Sequence, residues 1–171
     1  YAGIRHAQES RGLGDVYKRQ RHNLYIDDLR VLGVSLEDCT KKNDFALSAL
    51  KSAGWIIKKE KSSDPVQSAK FLGQISDLKQ MRYYCPESKK LKIFEMIDYM
   101  MKRRSVHVKQ LASLYGKLVS NRHSLGDVVR LMTRDGFRII AQAFSWNSYV
   151  NITEDVLFEM KFFKENWDKF D

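Results

Sequence analysis

Tyr25-Ile26-Asp27-Asp28-Leu29-Arg30-Val31-Leu32-Gly33 sets two adjacent carboxylates between two short apolar runs. An aromatic and a β-branched residue before the acids, and the apolar positions after them, spell a hairpin with acids at its tip. Such a turn can present both carboxylates to one space, where a hard, oxygen-preferring cation such as Mg²⁺ compensates their charge. Asp also favours turns because its side chain bonds nearby backbone, so the pair alone fits a solvated turn as well.

The features that follow change the weight of that pair. A helical segment leads to Ala53-Gly54-Trp55 and Glu60-Lys61-Ser62, then to Pro65-Val66-Gln67 and Phe71-Leu72-Gly73. In this order the chain resembles a reverse transcriptase. Tyr25-Ile26-Asp27-Asp28 is similar to the catalytic turn called motif C, residues 54–62 to motif D, and Phe71-Leu72-Gly73 to the motif E hairpin, or primer grip. Farther on, His107-Val108-Lys109, residues 126–134, Ser145-Trp146-Asn147 and Ile152-Thr153-Glu154 resemble the segment between polymerase and RNase H of DIRS-like (tyrosine-recombinase) retrotransposons. The resemblance spans roughly residues 22–170.

The resemblance implies nucleotidyl transfer by two Mg²⁺ ions, with Asp27 and Asp28 as catalytic residues and metal ligands. It implies that Lys61 lies near the phosphates of an incoming dNTP, and that Phe71, Leu72 and Gly73 grip the primer. RNA template and DNA primer are the expected partners. A further aspartate from motif A, and motif B, belong upstream of motif C in this family, and an RNase H domain belongs downstream. The chain is therefore expected to be an inactive fragment of a polymerase, lacking the N-terminal palm and fingers. A basic helical nucleic-acid-binding module without catalysis is the alternative.

Composition sets looser bounds. The 171 residues suit one or two small domains, and 43% hydrophobic residues can build a core. A net charge of +9, from 30 basic and 21 acidic side chains, favours a polyanionic partner. No apolar run is long enough to cross a bilayer and no secretory leader is evident, so an intracellular protein without a membrane partner is expected. Cys39 and Cys85 lack any metal-site or disulfide-framework spacing and should be reduced thiols.

Residues 1–20 carry no hydrophobic period and three glycines, which predicts disorder. Residues 10–20, SRGLGDVYKRQ, also resemble the in-frame translation of a tagmentation sequencing adapter, which implies that residues 1–20 are a non-native leader. Without its four basic and two acidic side chains the net charge is still +7.

From Arg21 onward, Ser35-Leu36-Glu37-Asp38 is close to a capping box, and apolar residues from Leu36 to Ala53 recur at helical spacing until Gly54. This helix should pack on a sheet. Trp55-Ile56-Ile57 reads as a short strand, followed by Lys58, Lys59 and Lys61 around Glu60. Residues 69–76 and 81–84 read as two strands joined by residues 77–80, with Gly73 inside a strand and one of Tyr83 and Tyr84 in the core.

After Pro86 four helices are expected. Residues 89–104 carry Leu91, Phe94, Ile97 and Met101 on one face, with Lys89, Lys90, Lys92, Lys102, Arg103 and Arg104 at the ends as phosphate contacts. Val108, Leu111, Ala112, Tyr115, Leu118 and Val119 mark the second helix and residues 126–144 the third. The fourth, residues 153–170, has Thr153 as N-cap and Val156, Met160, Phe163 and Trp167 inward. His107 and His123 should be surface or capping residues. The expected fold is α+β: a partial palm over residues 21–86 with two hairpins and a helix, then a helical thumb and connection over residues 87–171.

Overall fold

The computed structural model describes residues 22–26, 28–58, 60 and 62–171. The expectations for the leader at residues 1–20, for Asp27, for Lys59 and for Lys61 fall outside these residues. The chain divides into two compact units, Tyr1–Val66 and Gln67–Asp171.

In the first unit, β1 (His22–Tyr25) and β2 (Asp28–Val31) pair antiparallel with Tyr25 opposite Asp28, so only two residues join them. Ile26 opens that connection at φ 54°, the sign that tight hairpin turns demand. Helix α1 (Leu36–Ser52) starts as the sequence implies. Ser35 Oγ accepts from the Asp38 amide at 3.1 Å, and the Asp38 carboxylate accepts from the Val34 amide at 2.9 Å. It ends in a Schellman motif: Gly54 sits at φ 83°, its amide bonds Lys51 O and the Trp55 amide bonds Leu50 O, both at 3.0 Å.

Two expectations for this unit are corrected. Residues 55–57 form no strand; the chain leaves the Schellman motif in irregular backbone with Ile56 almost fully exposed. No residue of α1 is buried, and Phe45 is 77% exposed, so its apolar stripe covers no core among the described residues.

The second unit opens with a three-stranded antiparallel meander, β3 (Ser68–Phe71), β4 (Gln74–Asp77) and β5 (Arg82–Tyr84). Residues 69–76 are therefore not one strand. Leu72 at φ 49° and Gly73 at φ 73° make a two-residue turn with positive φ at both positions, which folds the run back on itself. Gly73 supplies the left-handed conformation without cost, whereas Leu72 adopts it under strain. Neither Tyr83 nor Tyr84 is core: Tyr83 is exposed beside His123, and Tyr84 is half-buried with its hydroxyl on Gln80.

Helix α2 (Glu87–Met101) begins after Pro86, whose missing amide costs nothing at a helix start. Its buried face is Ile93, Ile97 and Met100; Leu91 is 53% exposed, since it lies nearly half a turn round the helix from the middle of that stripe. Strand β6 (Ser105–His107) leads into α3 (Val108–Ser120), where His107 Nδ1 caps the Lys109 amide at 3.2 Å. Leu114 joins the expected inward residues of α3, and Val119 turns outward.

Residues 126–144 do not form one helix. Gly126 at φ 80° ends the short α4 (Arg122–Leu125), and α5 (Val128–Leu131) and α6 (Arg134–Gln142) follow as separate pieces. Strand β7 (Tyr149–Asn151) pairs antiparallel with β6 and adds a small ladder to the helical region. Helix α7 (Glu154–Phe170) is N-capped by Thr153 and buries Val156, Met160, Phe163 and Trp167, as its spacing predicts. The chain is α+β. Among the described residues no helix is long and apolar enough to cross a membrane.

The core of this unit closes over a carboxylate. Glu159, 3% exposed on α7, accepts from Tyr115 Oη at 2.7 Å and from the backbone amides of Asp135 and Gly136 at 2.8 and 3.0 Å. Burial and the Glu159 charge push the Tyr115 hydroxyl far up, so it remains a donor. Gly136 lies against the Tyr115 ring so closely that a Cβ would come within 2.0 Å of it. Gly136→Ala should therefore lose about 1–3 kcal/mol by overpacking. Gly116→Ala, inside α3 with nothing within 4 Å, should gain about 0.5–1 kcal/mol from helix propensity. Urea unfolding checks the pair; equal shifts of the same sign would show that α6 is not packed on Tyr115.

Candidate functional site

The acidic turn is held by short-range geometry. With Tyr25 opposite Asp28, the connection is too short for any other path, and the Asn23 side chain accepts two bonds from Arg30 at 3.1 and 3.3 Å across the ladder. Ile26 is a β-branched residue at positive φ, a conformation that costs about 1–3 kcal/mol and tends to persist where a turn is used. Tyr25, Ile26 and Asp28 are all exposed. Asp28, the first residue of β2, thus offers a hard carboxylate oxygen to solvent beside the turn. That donor suits Mg²⁺, yet among the described residues no three His, Cys, Asp or Glu side chains gather into a ligand set. Asp27 and Lys61, the other residues expected here, lie outside the described residues, and Lys58 is exposed.

In the second unit the Phe71-Leu72-Gly73 turn meets basic side chains. Lys70, Gly73, Pro86, Ser88, Lys89 and Lys92 line an open groove of about 250 Å³. Three lysines come from two elements: Lys70 from β3, and Lys89 and Lys92 one helical turn apart on α2. Lys90, between them, faces away from this role, since it bonds Asp168 at 2.5 Å and lies over the Phe94 ring. Partial burial lowers the Lys89 pKa and the charge of Lys70 adds to that, with Cys85 acting in the opposite direction. Without a Cβ, Gly73 leaves the groove open toward Lys89, whose Nζ would stand 3.9 Å from one. The arrangement suits an anion whose charge relieves the crowded lysines.

Lys102, Arg103 and Arg104 gather at a second groove, about 510 Å³, with Asn151, Ile152 and Glu154. They follow the end of α2 and are exposed. Arg103 is held in place, its guanidinium 3.4 Å from the Tyr99 ring centroid and its Nη1 donating to Tyr99 O at 2.8 Å. The sequence groups Lys102, Arg103 and Arg104 at one end of the helix and Lys89, Lys90 and Lys92 at the other, but does not bring Lys70 to the latter. Lys70 was hidden because residues 69–76 read as one strand, although the spacing of Lys89 and Lys92 already put them on one helix face.

The state of Lys89 gives a test of whether it serves stability. Because its folded pKa is lowered, the folded state carries a charge penalty at neutral pH that is relieved as pH rises toward 10.5. Lys89→Met should therefore keep or raise the urea midpoint at neutral pH, with the advantage shrinking toward pH 10.5, while binding of a polyanion weakens. A destabilised variant would mark Lys89 as a structural residue.

No protein-family model matches the sequence, and comparison with curated proteins finds no match. Among solved structures, the chain is similar to the foamy viral protease-reverse transcriptase dRH, solved in complex with double-stranded DNA, at TM-score 0.64 and 17% identity. The similarity covers 95% of this chain and 26% of that one, so the chain spans about a quarter of the viral protein's length. At that identity the likeness is one of fold: the chain has a reverse-transcriptase-like fold.

Proposed function

We propose that the chain is the motif C to thumb and connection part of an RNA-directed DNA polymerase from a DIRS-like retrotransposon, acting on an RNA template and DNA primer. The observation that carries this reading is the groove that Lys70, Lys89 and Lys92 line together with Gly73, the last residue of the Phe71-Leu72-Gly73 segment. A tight turn with an open glycine lets a backbone approach, and three lysines compensate successive phosphates without reading sequence. Lys102, Arg103 and Arg104 extend the same kind of contact at the end of α2. The nucleic acid bound by the similar viral protein, and the shared fold, support the choice of ligand.

Catalysis in the whole polymerase is assigned to the acidic turn. Asp27 and Asp28 would hold Mg²⁺, which when bound stabilises charge at the reacting phosphate. Asp28 lies exposed at the start of β2, and the resemblance assigns Lys61 to the dNTP phosphates. Motifs A and B, which a complete site requires, are not carried by residues 22–171, so this segment alone is proposed to bind and not to polymerise.

The test separates the two roles. In an active polymerase containing this segment, Asp27→Asn should abolish primer extension through kcat and leave template-primer affinity nearly unchanged, because Asn keeps the size but loses the charge. Replacing Lys70, Lys89 and Lys92 with Ala should instead weaken binding to an RNA–DNA hybrid. The log–log salt slope should fall by roughly 0.7 to 0.9 for each phosphate contact removed. Near-normal extension by Asp27→Asn contradicts the catalytic assignment; an unchanged salt slope contradicts the groove assignment.

A further inference from the structure

The loop between α6 and β7, together with the first residue of β7, presents aromatic side chains that neither groove uses. Phe144 is 100% exposed, Trp146 59% and Tyr149 71%. Three large rings turned outward within six residues make a patch of the kind that marks a binding surface. The loop is tied down. Lys109 Nζ donates to Asn147 Oδ1 at 2.8 Å, Ser148 Oγ to Ser145 O at 2.6 Å, and the Val108 amide to Ser148 O at 3.1 Å. The His107 ring meets Tyr149 edge-on with centroids 5.4 Å apart.

A short ladder joins this patch to the second basic groove. His107 pairs with Tyr149 at one end of β6–β7 and Ser105 with Asn151 at the other, where the Ile152 amide bonds Arg104 O at 2.9 Å. Three residues of strand span about 10 Å. The ladder thus sets Lys102 and Arg104 next to one of its ends and Trp146 and Tyr149 at the other, a strand's length apart.

We propose that this surface binds an unpaired nucleic-acid strand, stacking its bases on Trp146, Tyr149 or Phe144 and holding its phosphates on Lys102 and Arg104. This rests on the nucleic-acid reading above and adds the form of strand. Stacking needs a base face that a duplex hides, and every base has one, so such a platform is tolerant of sequence. The cations at the ladder's end and the chain's net charge of +9 favour a polyanion over an apolar protein partner.

Fluorescence anisotropy on the whole chain tests this with three probes: an oligothymidylate of about 12 nucleotides, an abasic strand of equal length, and a duplex. The wild-type protein should bind the thymidylate roughly tenfold or more tighter than the abasic strand, as expected for stacking. Trp146→Ala with Tyr149→Ala should remove that difference and leave duplex affinity unchanged, and Trp146→Phe should largely preserve it. Equal affinity of the wild type for thymidylate and abasic strands overturns the platform, whatever the variants do, while duplex binding keeps the broader reading intact. Failure to bind any probe overturns both. Sedimentation in which Trp146→Ala abolishes self-association, with thymidylate binding untouched, assigns the patch to a protein contact and also overturns the proposal.

Discussion

The carboxylate of Glu159 is buried between helices and takes three hydrogen bonds, one from Tyr115 on α3 and two from amides at the start of α6. A buried charge is costly unless such partners surround it, and each partner would cost about 1–3 kcal/mol if left unpaired. The three elements must therefore come together in one arrangement. Acidic charge at the first turn of a helix also suits the helix dipole. Gly136 allows α6 to lie directly on the Tyr115 ring, and Phe137 adds an edge contact at 5.7 Å. This packing fixes α6 against α3 and α7, and with it the two ends of the loop that carries the exposed aromatics.

The sheet of the second unit is fixed to the same core by polar contacts. Gln74 Nε2, 46 and 47 residues away in sequence, donates to Ser120 O and Asn121 Oδ1 at 2.9 Å each, at the end of α3. Asp171 Oδ1 accepts from the Cys85 amide at 2.8 Å between β5 and α2. These bonds hold the Leu72-Gly73 turn, one residue before Gln74, at the start of α2, which is why lysines from a strand and a helix face one groove. Cys85 itself is inert there: burial pushes its thiol up to about 11.

Local signals were legible in the sequence where a single element settles its own geometry. The Ser35 cap, the Gly54 stop and the Thr153 cap with its inward stripe follow from side chains a few residues apart, as does the existence of a hairpin at the acidic pair, though not its register, which sets Asp28 in β2 opposite Tyr25. The rest depends on partners distant in sequence. Leu72-Gly73 reads as strand interior because alternation continues through it, and only the backbone shows the turn. Strands of three residues, Ser105–His107 and Tyr149–Asn151, are too short to show a period. Leu91, expected inward, is exposed on α2, and Leu114, not among the expected inward residues, is buried on α3. Glu159 carries no apolar signal at all, so the group that organises the core is invisible to periodicity.

The central claim is that the groove of Lys70, Lys89 and Lys92 seats nucleic-acid phosphates. Lysine-reactivity footprinting, with an RNA–DNA hybrid present or absent, reads those three side chains at once against Lys90, which is already paired with Asp168. The account predicts that the hybrid protects Lys70, Lys89 and Lys92 from acylation, that low salt strengthens the protection, and that Lys90 is unaffected. Protection confined to lysines outside the groove, with these three as reactive as in the free protein, would contradict it.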